Sequence, residues 1–133
     1  MTLVDSSVWI DYFRGDKTGQ TEYLDLLLER SEEELGVADL VVFEVLRGFT
    51  NARAQREAQA LLLSTTVVEI GGLDNALSAA SVYRRLRAQG RTVRSPIDVL
   101  LASYCMTHGH VLLHRDADFE SLKVLGGLDT WPH

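Results

Sequence analysis

Little in this chain can staple, coat or anchor. Cys105 is the one cysteine in 133 residues, which excludes an intramolecular disulfide framework and any cysteine-based zinc cluster. Lys17 and Lys123 are the only lysines, and Pro96 and Pro132 the only prolines. Apolar runs are short and broken by charge, so no membrane-spanning helix is expected. The opening Met-Thr-Leu-Val-Asp has no basic region and meets an acid at position 5. A signal peptide is therefore not expected, and a reducing cytoplasm is the expected setting. No internal repeat or low-complexity tract occurs.

What is present suits one globular domain spanning residues 1–133, with 46% apolar and 24% charged residues. A chain of this size buries about two-thirds of its unfolded surface and needs no staples. Nineteen acids against 13 Lys plus Arg give a net charge of −6. That balance argues against a protein that simply coats nucleic acid, since phosphate binding draws on Lys and Arg. It leaves room for a metal-dependent phosphodiesterase, whose carboxylates hold cations that in turn meet phosphate.

The charge is unevenly placed. Residues 75–97 contain no Asp or Glu but carry Arg84, Arg85, Arg87, Arg91 and Arg94, whereas Glu22, Asp25, Glu29, Glu32, Glu33 and Glu34 make residues 22–34 acidic. The arginines read either as a solvated helix face or as a strip for an RNA backbone or an acidic partner.

Hydrophobic spacing alternates strands with helices. Leu3-Val4 is a strand stopped by Asp5, and Ser6 or Ser7 is placed to cap a helix bearing Val8, Trp9, Tyr12 and Phe13. Further helices are expected over 20–33, 40–47, 51–64, 73–89 and 96–108, the second of these capped by Asp39 and the last opened by Pro96. Strands are expected at 35–38, 66–70 and 110–114, then a short helix at 119–122 and a short Val124-Leu125 strand. On the 73–89 helix the apolar side is read as Leu73, Ala76, Leu77, Ala80 and Tyr83, with Leu86 beside them. The alternation favours a three-layer α/β/α sandwich with a short, mainly parallel central sheet. Such sheets place their sites outside the carboxyl ends of the strands.

Four acids fall at element ends that this topology gathers on one edge. Asp5 ends the first strand, Asp116 and Asp118 follow the 110–114 strand, and Asp98 lies in the first turn after Pro96. Glu44 sits inside the apolar run Leu40–Leu46, where an unpaired carboxylate is costly to bury. Singly, each acid reads equally as a turn, a cap or a wet helix face. Together they would repel, and a divalent cation removes that penalty. Hard carboxylate oxygens select Mg²⁺ or Mn²⁺ over softer metals.

Four short motifs in order now carry a resemblance. Val4-Asp5-Ser6-Ser7-Val8-Trp9-Ile10, Glu44-Val45-Leu46-Arg47-Gly48, Arg94-Ser95-Pro96-Ile97-Asp98-Val99-Leu100-Leu101-Ala102 and His114-Arg115-Asp116-Ala117-Asp118-Phe119 resemble the acidic motifs of PIN-domain ribonucleases, in particular VapC-type toxins. The resemblance runs from Leu3 to about Leu125. It implies a Mg²⁺- or Mn²⁺-dependent endoribonuclease, inhibited by a VapB-type antitoxin and usually dimeric. Asp5, Glu44, Asp98 and Asp116 match the family's acidic positions, and Asp118 matches a second acid found in some members. Ser6 matches a small hydroxyl that positions water or phosphate, while Arg94 and Arg115 flank the acids as phosphate contacts or as surface ion pairs.

Other readings weigh less. A haloacid-dehalogenase-like phosphatase needs a partner acid or hydroxyl two positions after its Asp, which Ser7 supplies weakly, and a well-placed Lys, which Lys17 and Lys123 do not supply. A phosphoacceptor domain fails for the same reason, and no Lys-Ser/Thr phosphate loop occurs. His108, His110 and His114 lack a fourth zinc ligand and read as surface or capping residues. The Asp116–Glu120 run lacks the glycine and the later glutamate of a calcium loop. A non-catalytic partner-binding module is a further alternative, in which Trp9, Tyr12 and Phe13 line a groove for a partner helix or simply pack in the core.

Overall fold

A computed structural model describes residues 1–30 and 34–132. Its elements run β1 (Thr2–Val4), α1 (Ser6–Arg14), α2 (Gly19–Glu29), β2 (Leu35–Ala38), α3 (Asp39–Leu46), α4 (Ala52–Ser64), β3 (Thr66–Val68), α5 (Leu73–Ala88), α6 (Pro96–His108), β4 (Val111–Leu113), α7 (Asp118–Lys123) and β5 (Asp129–Trp131). The end of the helix expected over 20–33, with Glu32 and Glu33, lies outside the described residues.

All four strand pairings are parallel, in the order β3-β2-β1-β4-β5. The strands are short, and β1 and β2 are buried along their whole length, as the central strands of a parallel sheet covered on both sides must be. Helix α1 packs on both α2 and α3, and α3 on α4, while α5 packs on α6 and α6 on α7, so two helical groups flank the sheet. The expected α/β/α sandwich is the fold that forms. Its core joins Leu3, Val37, Leu101, Leu112 and Leu113 from sheet and helix.

Central β1 is the pivot. The chain steps from β1 outward through β2 to β3, then returns to the other flank of β1 for β4 and β5. The switch point therefore lies between β1 and β4, where parallel sheets open a crevice at their carboxyl ends. There the Asp5 amide donates to the Leu113 carbonyl at 2.9 Å. At Gly36 the neighbouring strands leave no room for a side chain. A Cβ would stand 2.7 Å from Met1 Sδ, 2.8 Å from Leu3 Cδ2 and 3.0 Å from the Thr66 carbonyl.

Three expectations are corrected. The expected strand at Val124-Leu125 is the turn that leaves α7. The Gly126-Gly127 pair, both at positive φ, reverses the chain first, and the strand forms later at Asp129–Trp131. Asp5 itself, rather than Ser6 or Ser7, caps α1, accepting from the Ser7 amide. The third concerns α5, whose stripe Leu73, Ala76, Leu77, Ala80 and Tyr83 faces outward, with Leu73 75% and Leu77 64% exposed. The buried stripe is Ala79, Val82 and Leu86. Asn75 sets this rotation, since its amide donates to the Ile70 carbonyl at 2.7 Å and to the Leu100 carbonyl at 3.0 Å. Those two carbonyls would otherwise be left partly unsatisfied, and meeting them turns the leucine stripe to solvent.

Candidate metal centre

Asp5 enters the site because β1 ends there and α1 begins. As N-cap it holds extended backbone and turns its carboxylate back over the helix start. Oδ2 accepts from the Ser7 amide at 3.1 Å and the Ser7 hydroxyl at 2.6 Å. Oδ1 is buried with no partner. Ser7 Oγ itself accepts from the Arg115 amide at 3.1 Å, so its proton is committed to Asp5. One hydroxyl thus ties the start of α1 to the segment after β4.

That segment carries the next acids. The Asp116 amide donates to His114 Nδ1 at 3.2 Å, and the Asp118 amide donates to Asp116 Oδ1 at 2.9 Å. His114 is buried against Phe119, with ring centroids 4.8 Å apart, and caps the turn. His108, by contrast, is exposed. Asp98 comes from the first turn of α6, which Pro96 opens at a position needing no amide hydrogen bond. Carboxylate oxygens of Asp98, Asp116 and Asp118 lie within 4.8 Å of one another, the one grouping of its kind among the described residues.

Electrostatics mark the same place. Asp98 is 5% exposed, and its carboxyl is pushed up to about 8, first by burial and then by Asp5, Asp116, Glu44 and Asp118. Asp5 is raised by burial, against the pull of its Ser7 and Ser6 hydrogen bonds. Glu44 is raised by burial and by Asp5, with the Ser6 hydroxyl and Arg47 opposing. The residue is half-buried, and its Oε1 is buried without a partner. The sequence-selected acids Asp5, Glu44, Asp98, Asp116 and Asp118 therefore converge electrostatically, and Ser6 lies beside Glu44. An all-oxygen donor set with two orphaned buried oxygens fits a hard divalent cation, which would relieve both repulsion and desolvation.

The two flanking arginines differ. The Arg94 side chain is exposed, and its backbone amide donates to Asp118 Oδ2 at 3.3 Å. Arg115 instead forms the ion-pair alternative, with Nη1 2.8 Å from Asp11 Oδ2. Sequence reasoning missed Ser7 as the partner of Asp5. The readable signal was position: Ser7 is the second residue of a helix capped by Asp5, where a cap carboxylate meets the amide. Asp11 was missed too, and its 104-residue separation from Arg115 leaves no local signature.

Of the aromatic trio, Trp9 is fully buried and stacks on Phe13 at 5.9 Å, while Phe13 meets Phe49 at 5.8 Å. Core packing accounts for Trp9. Phe13 also borders an open groove of about 290 Å³ shared with Ile10, Val45 and Phe49.

Comparison with known proteins agrees with this architecture. The PIN domain family model matches residues 2–125. Ribonuclease VapC11 of Mycobacterium tuberculosis is 29% identical over 130 residues, covering 98% of this chain and 97% of the relative. Among solved structures, VapBC2 from Rickettsia felis, bound to a DNA fragment from its promoter, superposes with a TM-score of 0.77 at 13% identity, covering 97% and 96% of the two chains. Mycobacterium tuberculosis VapC20, a sarcin-ricin loop cleaving toxin, superposes at 0.68 with 15% identity, covering 97% and 98%. With four acidic motifs in order and a family model spanning nearly all of it, the chain belongs to the PIN domain family.

Proposed function

We propose that this chain, acting as one PIN-like domain in the cytoplasm, is a Mg²⁺- or Mn²⁺-dependent endoribonuclease toxin held in check by a VapB-type antitoxin. The observation that carries the reading is the convergence of Asp98, Asp116 and Asp118 beside the unpartnered buried oxygens of Asp5 and Glu44. The names of the VapC relatives support the choice of RNA.

In this reading Asp98, Asp116, Asp118 and Asp5 Oδ1 hold the cation directly or through water. When bound, the ion supplies charge neutralisation and polarisation of the scissile phosphate. Ser7 keeps Asp5 Oδ2 occupied, so Oδ1 is the free oxygen. Glu44, whose proton affinity is raised, orients the attacking water and takes its proton. In-line attack forms the new P–O bond from water and breaks the bond to the 3′ oxygen, which takes up a proton. The products are a 5′-phosphate and a 3′-hydroxyl.

Two partner surfaces accompany the site. The apolar groove beside Phe13 and Phe49 is the proposed seat of an antitoxin helix, whose side chains would fill it at helical spacing. The outward Leu73 and Leu77 of α5, at the end of the helix away from Tyr83, are the proposed homodimer face, since leucine pairs this exposed mark contact surfaces.

The deciding experiment incubates purified protein with total RNA and Mn²⁺. Wild type should cleave and should arrest growth on expression, whereas Asp5→Asn and Asp98→Asn should do neither. Full cleavage by both variants would overturn the assignment. Equal behaviour of all three forms without cleavage would favour a non-catalytic partner-binding module.

A further inference from the structure

Four of the five arginines of residues 84–94 make no ion pair or backbone contact through their side chains among the described residues. Arg84, Arg87, Arg91 and Arg94 are all exposed, and none forms an ion pair with a described residue. The segment that carries them meets the acid cluster at Arg94, whose backbone amide donates to Asp118 Oδ2. At its far end Arg87 lies over Tyr83, 6.0 Å from the ring centroid, and donates to the phenol oxygen at 3.3 Å. Arg84 and Arg87 stand three residues apart on one helix and share a side. Arg85 turns away from them to the Leu125 carbonyl. Between Tyr83 and Arg94 runs an open groove of about 420 Å³ bordered by Val93 and Pro96.

A chain of net charge −6 has concentrated unpaired positive charge, with an aromatic face, at one margin of its most acidic site. Like charges three apart on a helix, as at Arg84 and Arg87, gain nothing from one another and cost stability. The gain comes from a polyanion. We infer that Arg94, Arg91, Arg87 and Arg84 form a track for the phosphate backbone of single-stranded RNA leading to the acid cluster, with Tyr83 as a stacking face for a base. Arginine forks grip phosphate in two-pronged fashion, and stacking on tyrosine tolerates any base. The track holds substrate where the acids, being negative, would repel it. This deepens the ribonuclease reading and rests on it.

The test measures binding of a fluorescein-labelled 20-nucleotide single-stranded RNA in EDTA, across a salt series. Each arginine that neutralises a phosphate contributes about 0.7 to the slope of log affinity against log salt. The triple variant R84Q/R87Q/R91Q should therefore lose about 2 from that slope and roughly 100-fold in affinity near 0.1 M salt. R14Q/R53Q/R56Q removes the same charge elsewhere and should lose little of either. Melting temperature and circular dichroism establish that both triples are folded. Wild-type slope and affinity in the strip variant would overturn the track, as would equal losses in both triples, which would mean diffuse attraction. Loss of binding to an acidic protein partner with RNA binding intact would likewise overturn it, in favour of a protein docking surface. Asp98→Asn separates the two levels of the claim. If it binds RNA but does not cut, the track and the catalytic reading both stand. If wild type binds through the strip yet cuts nothing, only the catalytic reading falls.

Discussion

Replacing Asp98 with Asn should make the metal-free protein more stable while disabling its cation site. Asp98 is almost wholly buried, and that burial first, then four neighbouring acids, raise its carboxyl from 3.8 to about 8. A carboxyl raised on folding contributes stability that is complete below the unfolded value and lost as pH climbs through the folded one. Strain from Asp98 therefore grows between about pH 4 and pH 8. At about 1.4 kcal/mol per pH unit the ceiling near pH 7 is ~4 kcal/mol. Neighbouring acids share the proton, so about half of that, ~2 kcal/mol, is the expected gain on substitution. An unfolding entropy of about 0.28 kcal/mol/K for a chain this long turns it into a melting shift of roughly 7 °C. The assay is thermal unfolding of wild type and Asp98→Asn in EDTA at pH 8 and at pH 4.5. The variant should melt higher at pH 8, the gap should shrink toward zero at pH 4.5, and added Mn²⁺ should reverse the order by stabilising wild type alone. A variant that melts at or below wild type at pH 8 would refute the claim that this cluster is strained by uncompensated charge.

Three further outcomes are expected. Ser7→Ala removes the hydroxyl that Asp5 Oδ2 and the Arg115 amide share, and should cost about 1–2 kcal/mol while weakening Mn²⁺ binding by calorimetry; Ser7→Thr should restore the affinity. Gly36→Ala drives a Cβ against Leu3 and the Thr66 backbone and should destabilise by about 1–3 kcal/mol in urea unfolding, with the activity of the folded fraction unchanged. Leu77→Glu puts charge on the outward face of α5 and should yield a folded monomer by light scattering, where wild type is expected to run as a dimer.

Much of the site was legible because its acids are punctuation. Asp5 and Asp116 follow apolar strand segments, Asp98 follows a helix-opening proline, and Glu44 interrupts an apolar helix. Each is visible locally, and a parallel sheet brings such ends together. The rotation of α5 was not legible, because its sequence offers two stripes at helical spacing. Asn75, a polar residue that looks solvent-facing in one dimension, turns inward to meet two backbone carbonyls and decides between them. The Arg115–Asp11 pair and the Ser7 bridge to the Arg115 amide join segments about a hundred residues apart, and no local pattern encodes such contacts. The final strand was misplaced because Val124-Leu125 is the more apolar doublet, whereas the paired glycines decide where the chain turns.

The most direct test is a crystal of this protein soaked in Mn²⁺ and measured for anomalous scattering. A peak is expected among the carboxylates of Asp98, Asp116 and Asp118, facing Asp5 Oδ1. A well-ordered crystal with no peak there, or with manganese bound only elsewhere, would contradict the proposed metal centre.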